Sequence, residues 1–347
     1  MKRLILISLL TLTGITIQMA FGQTQLPNAT FEQWTVTTEG KAVPTGWHTF
    51  SDGDCRLSGL ASIGCGTAKK NHSSRVTGHR GYACQITASS VLGVVANGAM
   101  TTGQMVLASA TPKDTTNVIY SDINNKVGHN GYARFTGRPD SVYMWCKYTV
   151  KKSTSIPSCK IHLHGNVAYV DVPKHTAGVP QTGKIANAYC EFKGYTDGQW
   201  HQYRFPFVYY DSNGKVTTSR SRQPSYVLAS FSTNKVPGAG NSGDKLAFDD
   251  IVMIYNKRLS QILIDGEPLD GFHPDVTQYE LVAHDTHIPY VTAEAASPNA
   301  TVSVEQASAD NHFTVTITVT HDDGQKIYTL PVTFLYENRM VAMPPTR

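Results

Sequence analysis

Two histidines spaced two apart, His162 and His164, put both imidazoles on one face of an extended segment. That arrangement ligates zinc when a third ligand joins it. His175 is within loop reach, but no carboxylate or further histidine stands in an obvious place beside the pair. A solvated strand face is therefore the ordinary reading. Glycoside hydrolysis asks for something different: two carboxylates flanking one bond, about 5–5.5 Å apart for retention or about 6.5–9.5 Å for inversion. Before residue 258 the chain offers only Glu32, Glu39 and Glu191 as glutamates. A catalytic couple would have to come from Asp140, Asp171, Glu191, Asp197 and Asp211. No Gly-x-Ser-x-Gly elbow, phosphate-binding loop or dinucleotide fingerprint occurs, and Lys69-Lys70 is too short a basic run to mean more than solvation.

Aromatic residues are the stronger chemical signal. Sugar rings present apolar C–H faces that stack on Trp and Tyr. Tyr143 and Trp145 share one face of a strand pattern, while Met144 and Cys146 share the other. Together with Trp34 and Trp200 they are the sugar-contact candidates; Trp47, in a Gly-Trp pair, reads as core. Core packing is the commoner fate of any single aromatic residue, so exposure decides between the two.

The elements that must carry these residues are strands. Runs at 82–87, 102–107, 141–150, 159–164, 200–210, 225–232 and 245–255 are rich in β-type residues and separated by Gly, Pro, Asn and Asp. Near the C-terminus Phe313, Val315, Ile317 and Val319 alternate with threonines, then Tyr328, Leu330, Val332 and Phe334 alternate again. Asp323-Gly324 between them reads as a hairpin turn.

The N-terminus sets the compartment. Lys2 and Arg3 precede an apolar run, and small residues at Ala20 and Gly22 follow, which reads as a secretory signal peptide over 1–22. Export excludes a nucleic-acid role, and no later stretch reaches the roughly 20 apolar residues of a membrane helix. The expected location is the periplasm, the outer cell surface or the extracellular space. In an oxidising compartment six cysteines favour disulfides; Cys55 and Cys65, bracketing a Gly-rich segment, are the preferred local bridge, with buried free thiols as the alternative. The whole chain carries a net +4. Residues 23–257 hold 24 Lys/Arg against 14 Asp/Glu, and 258–340 hold 3 against 12. A basic half is fused to an acidic one, either to steer anionic partners or because the halves face each other.

Two resemblances follow from particular residues. Leu259-x-x-Ile262-x-Ile264-Asp265-Gly266, Leu269-x-Gly271-Phe272-His273-Pro274-Asp275-Val276-Thr277-x-Tyr279 and Tyr328-Thr329-Leu330-x-Val332-x-Phe334 resemble the bacterial cadherin-like, Ig-like β-sandwich module. Leu26-Pro27-Asn28-Ala29-Thr30-Phe31-Glu32, Pro44-x-Gly46-Trp47 and the closing Asp249-Asp250-Ile251 resemble jelly-roll carbohydrate-binding modules. The central Ala96-Asn97-Gly98-Ala99-Met100-Thr101-Thr102-Gly103, Phe135-Thr136-Gly137-Arg138-Pro139-Asp140-Ser141 and Cys146-Lys147-Tyr148 are similar to the "putative carbohydrate metabolism" domain of exported bacterial proteins. The implied fold is all-β: a jelly-roll, galactose-binding-like sandwich over 23–257, an Ig-like sandwich over 258–340 and a tail at 341–347. The jelly-roll likeness also implies a structural Ca²⁺ held by Glu32 and Asp249, with Asp250 beside them, since hard oxygen ligands suit that ion. Calcium at Asp265 or Asp275 is less favoured than ordinary turn capping. The expected function is non-catalytic binding of a polysaccharide or glycan, anionic ones included. A glycoside hydrolase and a structural or adhesive surface protein are the alternatives.

Overall fold

A computed structural model of the chain describes residues 24–36, 42–68, 73–91, 93–126, 131–171, 183–193, 197–219, 221–284 and 287–335. The signal segment 1–22, the tail 341–347, Glu39, Lys69, Lys70 and His175 lie outside them. The described chain is nearly all β, a sandwich architecture built from several sheets. Among the described residues one six-residue α-helix occurs, Ile63–Ala68, and it carries Cys65 of the expected Cys55–Cys65 disulfide. No helix there is long and apolar enough to cross a membrane.

The large sheet runs in the spatial order Ala133–Arg134, Tyr226–Ser232, Ser158–His164, Lys184–Glu191, His201–Tyr209, Ser141–Thr149, Lys245–Ile254, Tyr82–Thr87 and Ser73–Thr77, with Ala99–Thr101 also on Tyr226–Ser232. One strand joins its two halves. The first part of 201–209 pairs with 141–149, and Phe207, Val208 and Tyr209 pair with the 184–191 strand. The halves fold face to face: Phe231 and Phe248, from opposite halves, stack with ring centroids 4.0 Å apart. Alternation then divides each strand. Val142, Met144, Cys146 and Tyr148 are buried in this core, as are Phe205, Phe207 and Tyr209, and Trp47 joins them at 2% exposure.

Four cysteines expected to favour pairing are free thiols: Cys84, Cys146, Cys159 and Cys190. The first three are wholly buried among apolar side chains, where a thiol packs as a small hydrophobe. Burial pushes their thiols up, away from the reactive thiolate.

Buried apolar residues form a second cluster from Leu259 to Val332. There Thr314–His321 and Gly324–Leu335 make the hairpin that the threonine alternation predicts, His321 opposite Gly324. Opposite charges meet where the two clusters adjoin. Arg138 holds Asp322 through Nε, Nη2 and its backbone N–H at 3.0, 2.8 and 2.7 Å, and Lys257 holds Asp323 at 2.5 Å. Asp140 accepts from Ser297 Oγ at 2.6 Å and lies 3.3 Å from His321 Nε2. The basic and acidic halves therefore do bond to each other.

A small four-stranded sheet completes the part that matters for function. Asp54–Cys55, Gln104–Leu107, Val118–Tyr120 and Val170–Asp171 form it. It roofs the outward side of the 158–164 and 226–232 strands, and Tyr169 packs on both His162 and His164.

Candidate functional site

Two outward faces of the large sheet carry the candidate residues. The first is open. On 141–149 the side chains of Tyr143, Trp145 and Lys147 are half-buried. Trp145 Nε1 donates to Tyr143 Oη at 2.8 Å, and its indole stacks on His79 at 3.8 Å with the planes 9° apart. On the neighbouring strand Arg204 lies opposite Tyr143, and Gln202 opposite Trp145. Trp200 is half-buried just before that strand, and Lys147 Nζ sits 4.7 Å from its ring centre. Three of the four aromatic candidates thus lie along one strand pair. Trp34 is used differently: it packs on the core cluster and donates Nε1 to Phe31 O at 2.5 Å.

A β-bulge shapes the edge of this face. Trp145 is opposite Asp249 but Tyr143 is opposite Val252, so an extra residue sits on the 245–254 strand. Asp250 absorbs it at φ +46°. The bulge turns Asp249 into the 78–82 turn. Its Oδ2 accepts the N–H of His79 at 2.8 Å and of Arg80 at 3.3 Å, and its Oδ1 accepts that of Asp250 at 2.8 Å. Glu32 Oε1 accepts the N–H of Tyr82 at 2.9 Å from the other side. Gly78 and Gly81 permit this clamp. A Cβ on Gly78 would lie 2.5 Å from Asp249 Oδ2, and one on Gly81 2.1 Å from Glu32 Oε1.

As placed, Glu32, Asp249 and Asp250 do not fit a calcium site. Ca²⁺ takes six to eight oxygen ligands, whereas the neighbours facing these carboxylates are N–H groups and the His79 ring, 3.2 Å from Asp250 Oδ2. Among the described residues no group of three or more His, Cys, Asp or Glu side chains is placed to hold a metal ion. Burial raises the Asp249 carboxyl to about 6, against the three amide bonds that favour its anion.

The second face is covered. His162 and His164 point to one side as their spacing requires, yet they are 5% and 0% exposed. The solvated strand face expected for them is absent because the small sheet lies over it. His164 is stacked between Tyr169 and Tyr226, and burial drives its imidazole down to about 4. His162 lies 3.7 Å from Asp171 and 3.3 Å from Tyr169 Oη. The rings are engaged in packing, and among the described residues no third ligand joins them; His175 lies outside these.

The acids of this side are likewise committed. Burial would raise Asp171, but the hydrogen bond and charge of His162, with Lys160 at 3.0 Å, carry it down to about 2. Lys193 at 2.7 Å is the main cause that holds Glu191 near 2; Lys235 at 3.0 Å and the Tyr189 hydroxyl add to it. Asp197 caps Gln199 N–H and meets His201, and Asp211 accepts from Asn213 and Lys215 N–H in a turn. Asp140 belongs to the junction. Asp265 accepts the Tyr290 N–H from across the sheet, and Asp275 pairs with Arg258.

Between the small sheet and the covered face lies a cavity of about 380 Å³. The sequence held no local sign of it, because its walls come from segments more than a hundred residues apart.

No family model matches the chain, and no curated protein matches it. Seven solved chains resemble it, two of them as follows. One, from Bacteroides thetaiotaomicron VPI-5482 and titled a "putative glycoside hydrolase", has a TM-score of 0.44 and 15% identity, covering 67% of this chain and 71% of that one. The other, from Bacteroides vulgatus ATCC 8482 with the same description, has a TM-score of 0.41 and 13% identity, covering 67% and 98%.

Proposed function

We propose that this chain is an exported, non-catalytic glycan-binding protein. A signal peptide over 1–22 delivers it, a jelly-roll sandwich over 23–257 binds the polysaccharide and an Ig-like sandwich over 258–340 spaces or attaches it. The observation that carries this reading is the open face, where Tyr143, Trp145 and Trp200 lie half-exposed along one strand pair beside Lys147, Gln202 and Arg204. Rings supply stacking surface for the C–H faces of a sugar, and the long polar side chains supply donors to hydroxyls and carboxylates. The two cations favour anionic glycans.

The acids support binding over hydrolysis. A glycosidase needs one carboxyl kept protonated as general acid. Asp171 and Glu191 are held as anions near 2. Asp249, raised to about 6, is 0% exposed, with its oxygens aimed at backbone amides.

Affinity gel electrophoresis against a panel of neutral and anionic polysaccharides tests the proposal. Retardation by at least one polysaccharide, reduced about tenfold or more in Trp145→Ala, is expected; stacked aromatic contacts of this kind are worth about 1–3 kcal/mol by alanine substitution in other ligand systems. Retardation by none, or retardation indifferent to Trp145 and Trp200, overturns it.

A further inference from the structure

The cavity under the small sheet has a composition that the open face lacks. Its walls are aliphatic: Leu57, Leu60, Val94, Leu107, Ile119 and Pro237 are among them. Among the described residues no Trp or Tyr lines it; Phe50 and Phe231 do, and the Phe231 ring itself is stacked on Phe248 in the core. A sugar entering it would meet methyl groups and leave most of its hydroxyls unpaired, which is costly. The floor is polar, with Ser158, Ser230 and Lys160 from the covered strands, and Lys235 and Asp171 at its sides.

Three further facts narrow the occupant. The volume, about 380 Å³, falls within the ~300–1,000 Å³ of small-molecule clefts and is too small for a folded partner. The charged residues among the described lining are Lys160, Lys235 and Asp171, and Lys160 is paired with Asp171. Lys235 bonds both oxygens of Glu191, at 3.0 Å each, and an ammonium has three donors. Leu60, 87% exposed, lines the cavity from the loop closed by the Cys55–Cys65 disulfide. A covalently closed loop that holds a leucine in water at the edge of an apolar cavity is arranged to be covered by something apolar.

We propose that this cavity binds a single unbranched aliphatic chain ending in a carboxylate, the chain against the Leu, Val and Ile walls and the carboxylate at Lys235. The site is independent of the glycan reading and uses none of its residues.

Isothermal titration of the full chain with dodecanoate tests it. One saturating site is expected. Decanoate, two methylenes shorter, should bind about 15-fold more weakly, since each buried methylene contributes about 0.8 kcal/mol, or about fourfold. Leu60→Asp should weaken dodecanoate at least tenfold; its side chain is exposed, so the melting curve checks that the fold is intact. Lys235→Gln should weaken dodecanoate about tenfold, the lower end of a charged hydrogen bond, and leave dodecanol unchanged. Absence of saturable binding, or binding equal in wild type and Leu60→Asp, overturns the proposal. Displacement from the cavity by a uronic-acid oligosaccharide would also overturn it and would move the glycan site here. Loss of gel retardation in Trp145→Ala with dodecanoate binding intact would separate the two sites.

Discussion

The open face around Trp145 and the covered face around His164 come from the same strand grammar. In both, one residue in two points inward to the same core and the next points out. What differs is what lies above. Beside Trp145, among the described residues, lies the 78–82 turn, whose His79 stacks on the indole. Over His162 and His164 the chain places four strands, and two histidines become 5% and 0% exposed. The lesson is that period-two alternation sorts residues to faces but does not say whether the outer face meets water. That is decided by segments far away in sequence.

The largest expected effect is at the turn. Gly78→Ala would bring a Cβ to 2.5 Å from Asp249 Oδ2 and from Arg80 O, and to 2.9 Å from Tyr82 C. Two of those atoms are backbone, so the turn must move. A loss of about 3 kcal/mol in urea unfolding is expected, at the upper end of ordinary substitutions. Because the turn carries His79, the same variant should weaken glycan retardation while leaving dodecanoate binding unchanged. Equal damage to both sites would break the separation of the two faces.

A second effect, of similar size, depends on pH and has opposite signs on the two sides. His164 stands near 4 in the folded chain, below the usual imidazole value of about 6.5. The unfolded chain then binds more protons as pH falls below about 6.5, so stability is lost on acidification through that window. Asp249 stands near 6, above the usual carboxylate value, so the folded chain holds the extra proton and stability is gained as pH falls from about 6 toward 4. Each is worth about 3 kcal/mol at full titration. Their opposition should leave wild-type stability nearly flat between about pH 6 and 4.5. His164→Phe, which keeps a ring between Tyr169 and Tyr226, should become more stable on acidification over that range. Asp249→Asn should become less so, and should start about 1–3 kcal/mol lower because an amide nitrogen or a single oxygen cannot serve three N–H donors. Parallel pH slopes in the two variants would refute the assignment. Below about pH 4.5 Asp171 and Glu191, both depressed to about 2, add their own loss.

Much of the strand framework could be read before any coordinates. The 141–149 alternation, the burial of Trp47, the Cys55–Cys65 bridge and the Asp323-Gly324 hairpin are local patterns with local causes. The bulge at Asp250 was not readable. Asp-Asp-Ile looks like an unbroken strand, and only the register against Tyr143 and Trp145 reveals the extra residue. The assignment of Glu32 and Asp249 as calcium ligands rested on a resemblance at the two ends of the first domain and could not foresee that amides occupy their oxygens. The roof and its cavity were invisible for the same reason. They depend on 54–55, 104–107, 118–120 and 170–171 converging, and no one of these segments announces the others.

The smallest expected effect concerns the turn and any cation. If N–H groups neutralise Asp249 and Glu32, then chelator or added calcium has no differential affinity for folded over unfolded chain, and linkage gives no stabilisation. Melting in EDTA and in millimolar CaCl₂ should agree within about 1 °C, less than the ~2–4 °C that 1 kcal/mol moves a domain of about this size. Tyr82 supplies an internal control. Its N–H bonds Glu32, so Glu32→Gln keeps one acceptor oxygen and should be nearly neutral, whereas a cation site would lose a charge it needs. A calcium-dependent rise in melting temperature that Glu32→Gln abolishes would mean that the ion displaces these amides, and that the open face is held by a metal where the covered face is held by stacked rings.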